Sequence, residues 1–259
     1  MSSTSPPTLL SGLNKTVQGL WIGPALSAME QLSIASFLQH GHQYHLYVYE
    51  DVKNIPAGTV VRDAGEILPA SSIFQYPRSP SYAGFANFFR YKLLLDRGGW
   101  WVDTDTICLR TFDFADEYVF SSQTNERRSE SANCGIIKAP PGSEAMAYAF
   151  KVCQTKDPAR LVWGETGPRL MAKLVRKFSL EQYLKTHHVF CPVAYQEWRD
   201  VLRPGVGKLL DDRTYAIHLW NEMWRAAGQD KNAQYHPSCL YETLKRTYLP
   251  TVSAAGAPA

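Results

Sequence analysis

No two cysteines in this 259-residue chain fall at a C-x-x-C spacing. The five present (Cys108, Cys134, Cys153, Cys191 and Cys239) are scattered and odd in number. That removes the pattern for a disulfide framework or a zinc ribbon, and reduced thiols in a cytoplasmic protein are the expectation. His40, His42 and His45 cluster without cysteine partners or helical spacing, so they do not make a zinc motif. No apolar run approaches the length of about 18 residues that a membrane-spanning helix needs. Peripheral membrane association stays open. A net charge of +3 is too small to point to nucleic acid. Neither a G-x-S-x-G elbow nor a phosphate-binding G-x-x-x-x-G-K loop occurs, and there is no internal repeat.

What is present is ordinary for a folded chain: 45% apolar and 20% charged residues. Seven Trp and fourteen Tyr suit a protein that stacks sugars or bases, and equally a well-packed core. The Ser/Thr/Pro-rich residues 1–15 read as a flexible start, 16–250 as a single domain, and 251–259 as a flexible tail.

Val17–Ile22 reads as a strand stopped by Gly23-Pro24. Ser27-Ala-Met-Glu30 is a capping box opening a helix to about Gln39, and Tyr44–Tyr49 is a second strand. Strand, helix, strand at this spacing is a βαβ unit and predicts a parallel sheet. Residues 51–80 are loop-like, with a short strand near Val60-Val61. A helix follows from Ser81 to Gly98-Gly99, then the short strand Trp100-Trp101-Val102. Further strands are expected at Tyr118–Ser121, Gly135–Lys138, Val189–Cys191 and Tyr215–Leu219. Helices are expected over Ser143–Gln154 and Gly167–Lys177.

The Trp100–Val102 strand runs straight into Asp103-Thr104-Asp105. Carboxylates at i and i+2 of an extended segment point to one side. At a strand's carboxyl end they lie where open α/β sheets bind ligands. Two such carboxylates repel unless a cation neutralises them. A hard divalent ion, Mn²⁺ or Mg²⁺, prefers oxygen ligands and bridges substrate phosphates. The chemistry suggested is therefore a diphosphate held through a metal.

The stretch Ala86-Asn-Phe-Phe-Arg-Tyr-Lys-Leu-Leu-Leu-Asp-Arg-Gly-Gly-Trp-Trp-Val-Asp-Thr-Asp105 resembles the sugar-binding region of the DXD-motif glycosyltransferases. These include the initiating α-1,6-mannosyltransferases and the α-1,4-galactosyltransferases. The shared pattern, R-Y-x-x-L-x-x-x-G-G-x-[YW]-x-D-x-D, is long and specific. The resemblance implies an α/β, GT-A-like nucleotide-sugar-binding fold with a mostly parallel central sheet flanked by helices. It also implies a UDP- or GDP-sugar donor, a saccharide or lipid-linked glycan acceptor, Mn²⁺ or Mg²⁺, and retention at the anomeric carbon. Carried over by position, Asp105 is a direct metal ligand. Asp103 binds ribose or sugar or assists the metal, and Thr104 lies with them on the donor. Arg90 reaches the donor from the preceding helix, where it shares a face with Asn87; a salt bridge to a neighbouring carboxylate is its structural alternative. Many members have Asp where this chain has Asn87, which leaves the sugar open. Trp21 and Asn133 fall on the donor side, and Gly167 lies at a helix start with free N–H groups. Within Ala216-Ile-His-Leu-Trp-Asn221, the resemblance implies that His218 completes the metal site or contacts phosphate, and that Trp220 lies over the diphosphate with its indole N–H donating to the leaving group. Glu165 is an acceptor-side candidate or a surface loop residue. Three rival readings remain at this level: a nucleotide-sugar-binding protein without transferase activity, a metal-dependent phosphohydrolase, and a non-enzymatic scaffold that binds no nucleotide through a metal.

Overall fold

The computed structural model describes residues 14–125, 129–205 and 210–249. The flexible segments expected at 1–15 and 251–259 lie outside the described residues, apart from Asn14 and Lys15.

Strand β1 (Thr16–Trp21) is followed by helix α1 (Ala28–Gln39) and strand β2 (Gln43–Val48). β1 and β2 pair in parallel, as the βαβ spacing requires. At the start of α1, Ser27 accepts the Met29 N–H and the Glu30 carboxylate accepts the Ser27 N–H at 2.8 Å, closing the capping box. Eight of the twelve α1 residues are buried, so this helix is sandwiched and not merely laid on a surface.

The loop-like region contains β3 (Val60–Asp63), which extends the parallel set, and two short 3-10 turns. Helix α2 (Ala83–Arg97) ends on Gly98 at φ +63, and a Cβ there would run into Pro141. Only glycine accepts both that conformation and that approach. Strand β4 (Gly99–Val102) starts at once and pairs in parallel with β1. After β4 come β5 (Thr106–Cys108), β6 (Val119–Thr124) and β7 (Glu130–Ala139). β7 runs antiparallel to β4 and to β6. The central sheet therefore has the order β3-β2-β1-β4-β7-β6, parallel on one side and antiparallel on the other.

Helices α3 (Glu144–Gln154) and α4 (Pro168–Lys177) fall where the sequence placed them. The strand expected at Val189–Cys191 is not one. Those residues lie in and just after a single helical turn, α5 (His187–Phe190). β-branched and aromatic content favours extended backbone only where a ladder partner exists. Here the Cys191 N–H bonds back to the His187 carbonyl at 2.7 Å instead. Strand β8 (Ala216–His218) pairs antiparallel with β5 as a separate two-stranded ladder. Helices α6 (Asn221–Ala226) and α7 (Leu240–Tyr248) complete the fold.

The sheet divides the core into two apolar layers. Trp100 packs with α1, α6 and α7 residues on one face, and Trp101 with α2, α3 and α4 residues on the other. Alternation along a strand explains why adjacent tryptophans are both buried. No helix among the described residues is long and apolar enough to cross a membrane.

Candidate active site

A cleft of about 880 Å³ opens at the carboxyl ends of β1 and β4. Its floor is Asp103, Thr104, Asp105 and His218. The β5–β8 ladder explains how residues so distant meet. Its register sets Thr106 opposite His218, so His218 lies beside the residue before Thr106, which is Asp105. Ligand atoms of Asp103, Asp105 and His218 lie within 4.8 Å of one another. His218 Nε2 is 3.0 Å from Asp105 Oδ1 and 3.9 Å from Asp103 Oδ2.

Each carboxylate has one oxygen anchored and one turned toward that imidazole. Asp103 Oδ1 accepts the Trp101 indole N–H at 2.8 Å and pairs with the Arg90 guanidinium at 3.0 Å. Asp105 Oδ2 accepts the Asn221 backbone N–H at 2.7 Å, at the start of α6. Gly135 keeps the space between them open. A Cβ there would come within 2.9 Å of Asn133 Oδ1, 3.1 Å of Asp103 Oδ2 and 3.2 Å of His218 Cε1.

The glycosyltransferase sugar-binding region containing the DXD motif matches residues 27–124, and the α-1,4-glycosyltransferase conserved region matches residues 159–256. The chain thus carries the DXD-motif sugar-binding region and the α-1,4-glycosyltransferase conserved region found in glycosyltransferases. It is 26% identical over 175 residues to the α-1,4-N-acetylglucosaminyltransferase of Homo sapiens, covering 62% of this chain and 48% of that one. It is 27% identical over 109 residues to the lactosylceramide 4-α-galactosyltransferase of Mus musculus, covering 36% and 29%. The chain thus spans less than half the length of these curated relatives. Among solved structures, the PaToxG glycosyltransferase superposes with a TM-score of 0.45 at 13% identity, covering 65% of this chain and 75% of that one.

The charges of this site are strongly interdependent. Burial opposes a charge on His218, but the Asp105 carboxylate outweighs it and holds the imidazole well above its usual pKa. Burial likewise pushes Asp105 upward, and His218 with the Asn221 N–H more than reverses it, leaving the carboxyl below its usual range. Asp103 ends above its usual value: burial and Asp105 repulsion together exceed the pull of Arg90. Asp103 is also the more open of the two, its side chain 25% exposed against 10% for Asp105.

Arg90 lines the cleft but is 3% exposed. Its Nη1 donates to the Cys134 carbonyl as well as to Asp103, and its guanidinium sits 4.8 Å over the Trp101 ring. The salt-bridge alternative is therefore the arrangement present, with Arg90 orienting Asp103. Asn87 lines the cleft one helical turn away, where its amide donates to Thr166 Oγ1 at 3.3 Å. Gly167 caps α4 behind it, where a Cβ would meet Asn87 Nδ2 at 3.3 Å and Cys134 Sγ at 3.4 Å. Asn133 is buried, with its amide on Gln123 and its carbonyl oxygen on the Gly135 N–H.

Trp220 adopts a left-handed backbone at φ +60, which brings its ring to 4.1 Å from that of His218. Its indole N–H, expected from the sequence to serve a leaving group, donates instead to the Val193 carbonyl at 2.8 Å. Trp21 lines the cleft with its indole N–H buried and without a protein partner, and Lys231 Nζ lies 5.6 Å from its ring. Glu165 is an ion-pair partner of Lys156 at 2.6 Å in the loop before α4.

Sequence reasoning missed the Trp101 indole, the Cys134 carbonyl, Gly135 and the Asn221 N–H. Two of these left a signal: Trp101 as the aromatic position two residues before Asp103, and Gly135 as the glycine after Asn133-Cys134. The Cys134 carbonyl and the Asn221 N–H act through backbone atoms that every residue carries.

Proposed function

We propose that this chain moves a hexosyl group from a nucleotide-diphosphate-sugar to a hydroxyl of a saccharide or glycolipid acceptor. The observation that carries the reading is the meeting of Asp103, Asp105 and His218 on the floor of one large cleft, with Arg90 beneath.

The residues fit a divalent cation. Two carboxylates and an imidazole are a donor set that Mn²⁺ accepts readily, and Mg²⁺ through the oxygens. Gly135 preserves the volume on which Asp103 Oδ2 and the His218 ring border. A metal held by these three would neutralise the diphosphate and stabilise charge on it as it departs.

The chain's own groups supply the rest. Arg90 and the Trp101 indole lock Asp103 in one rotamer, and the Asn221 N–H does the same for Asp105. Such preorganisation lowers the reorganisation needed when charge develops. Trp21, with its unpartnered N–H, suits the nucleoside end of a donor, and Lys231, held by Glu30 at 2.5 Å, lies beside its ring. Asn87 and Asn133 suit sugar hydroxyls, since an amide both donates and accepts. In the transfer the anomeric C–O bond to the diphosphate breaks and the acceptor oxygen bonds that carbon. The hydroxyl proton leaves to the diphosphate oxygen. The α-1,4 relatives favour retention. A reducing compartment belongs to the same reading, supported by five buried, unpaired cysteines.

A thermal-shift panel of UDP- and GDP-sugars with and without Mn²⁺ tests the proposal. Binding to the native state alone raises the melting temperature by mass action, about 2.7 kcal/mol of stability at a hundredfold excess over Kd. The expected result is a metal-dependent shift with one nucleotide class, absent in Asp105→Asn, together with slow release of free sugar. A shift that survives in Asp105→Asn refutes the metal assignment. Binding without transfer or hydrolysis of any donor favours a sugar-nucleotide-binding protein. Phosphate release from simple phosphoesters favours a phosphohydrolase.

A further inference from the structure

Among the described residues the exposed large apolar side chains are Val61, Tyr82, Val162 and Trp163. Tyr82 and Trp163 both line the cleft that holds Asp103 and Asp105, and Val162 adjoins Trp163 in the chain. Exposed aromatics gathered at the mouth of a functional cleft need a ligand to justify their cost in water.

The Trp163 ring is held, not dangling. It lies 4.8 Å from the Tyr76 ring at an angle of 39°, and Tyr76 is itself buried. Tyr76 rests against α2 at Gly84, where a Cβ would come within 3.2 Å of it. The loop bearing Trp163 is fastened on both sides. Glu165 N–H donates to the Val162 carbonyl at 3.0 Å, Lys156 pairs with Glu165, and Arg169 N–H donates to the Gly164 carbonyl at 3.2 Å. The Tyr91 hydroxyl donates to the Thr166 carbonyl at 2.9 Å, and Thr166 in turn receives the Asn87 amide. A ring with one face backed and 51% of its surface open is a preformed platform.

The cleft lining is mixed in chemistry. Trp21 carries a buried indole N–H without a protein partner, and Lys231, paired with Glu30 at 2.5 Å, lies 5.6 Å from its ring, a polar pair that suits a nucleoside. Trp163 presents flat apolar carbon to the same cleft that the neutral amide of Asn87 lines. That combination recognises a ring with C–H bonds on one face and hydroxyls at its edge. We propose that Trp163, backed by Tyr76 and sharing the cleft lining with Tyr82, is the platform for the neutral hexopyranose ring of the acceptor. The role of that ring as acceptor rests on the transfer reading above; its binding does not.

The test uses the methyl glycosides of β-lactose, β-galactose and β-N-acetylglucosamine as probes, with saturating UDP and Mn²⁺. Saturation-transfer NMR is expected to mark ring C–H protons of at least one probe with the wild-type protein. Trp163→Ala is expected to weaken that probe roughly tenfold, the loss of one ring-stacking contact, while UDP–Mn²⁺ affinity stays unchanged. Trp163→Phe should recover most of the loss. In turnover assays Trp163→Ala raises the acceptor KM and leaves the donor KM alone. The platform is refuted if no probe binds the wild type, if Trp163→Ala binds the probe normally, or if it loses UDP instead. Trp163-dependent saccharide binding without any nucleotide-sugar effect would sink the transfer reading and leave the platform standing.

Discussion

Asp105 and His218 stand 113 positions apart in the chain, and their Oδ1 and Nε2 atoms meet at 3.0 Å. The contact is a product of the three-pair ladder between β5 and β8 and not of local sequence. Thr106 pairs with His218 across that ladder, and the Leu219 N–H then donates to the Asp105 carbonyl at 2.9 Å. Backbone pairing therefore fixes the side-chain pair.

Removing one partner leaves the other charge buried and unpaired. His218→Gln is expected to lower unfolding stability by about 3 kcal/mol. Adding Asp105→Asn should recover part of that, giving a positive interaction energy in a double-mutant cycle. Urea denaturation of the four proteins without added metal checks this.

Gly135→Ala separates site geometry from stability. Its Cβ would crowd Asp103 Oδ2 and His218 Cε1, at 3.1 and 3.2 Å. Overpacking of this kind costs about 1–3 kcal/mol. The metal-dependent thermal shift should fall much more than stability does. Calorimetric titration with Mn²⁺ beside a urea melt measures both.

Arg90→Lys keeps the charge and loses the planar fork. Lysine cannot serve Asp103 and the Cys134 carbonyl while lying flat over Trp101. Donor affinity is expected to drop at least as far as in Asn87→Ala, with kcat falling too. Steady-state kinetics with the donor found by the thermal panel decides it.

An acid-sensitive tie lies away from the cleft. Glu130 on β7 accepts the His187 N–H at 3.0 Å and also meets the His187 ring, joining β7 to α5. Partial burial raises the Glu130 pKa, and these hydrogen bonds more than reverse it, so the carboxyl sits below its usual value. A depressed folded-state pKa gives stability that is present above the unfolded value of about 4.3 and is lost as pH falls through the folded one. Glu130→Gln should melt lower than wild type at pH 7, with the gap closing as pH drops below about 4. Thermal melts across that range test it.

The strand-helix-strand opening, the capping box at Ser27, the helix ending in Gly98 and the DXD strand end were all legible in the sequence. Each depends on neighbours within a few positions. Asn87 and Arg90 were legible for the same reason, since helical spacing sets them on one face. His218 was legible only as a candidate, because an extended pattern does not say which strand it will join.

Val189–Cys191 shows the limit. Its residues favour strand, yet the chain makes a helical turn there, with the Cys191 N–H bonded back to the His187 carbonyl. The Trp220 indole shows another: the sequence placed the ring near His218, but the Val193 carbonyl that takes its N–H comes from a segment 27 residues away.

The amino-acid sequence by itself determined the parallel half of the sheet, the carboxylate pair at its edge and the helix face before it, because propensity, capping and periodicity act over one or two turns. Only the tertiary structure decided which atoms meet those carboxylates. The β5–β8 register brings His218, the β4–β7 register brings Gly135 and the Cys134 carbonyl, and the start of α6 brings the Asn221 N–H. Pairing between distant strands, and not local preference, sets those distances.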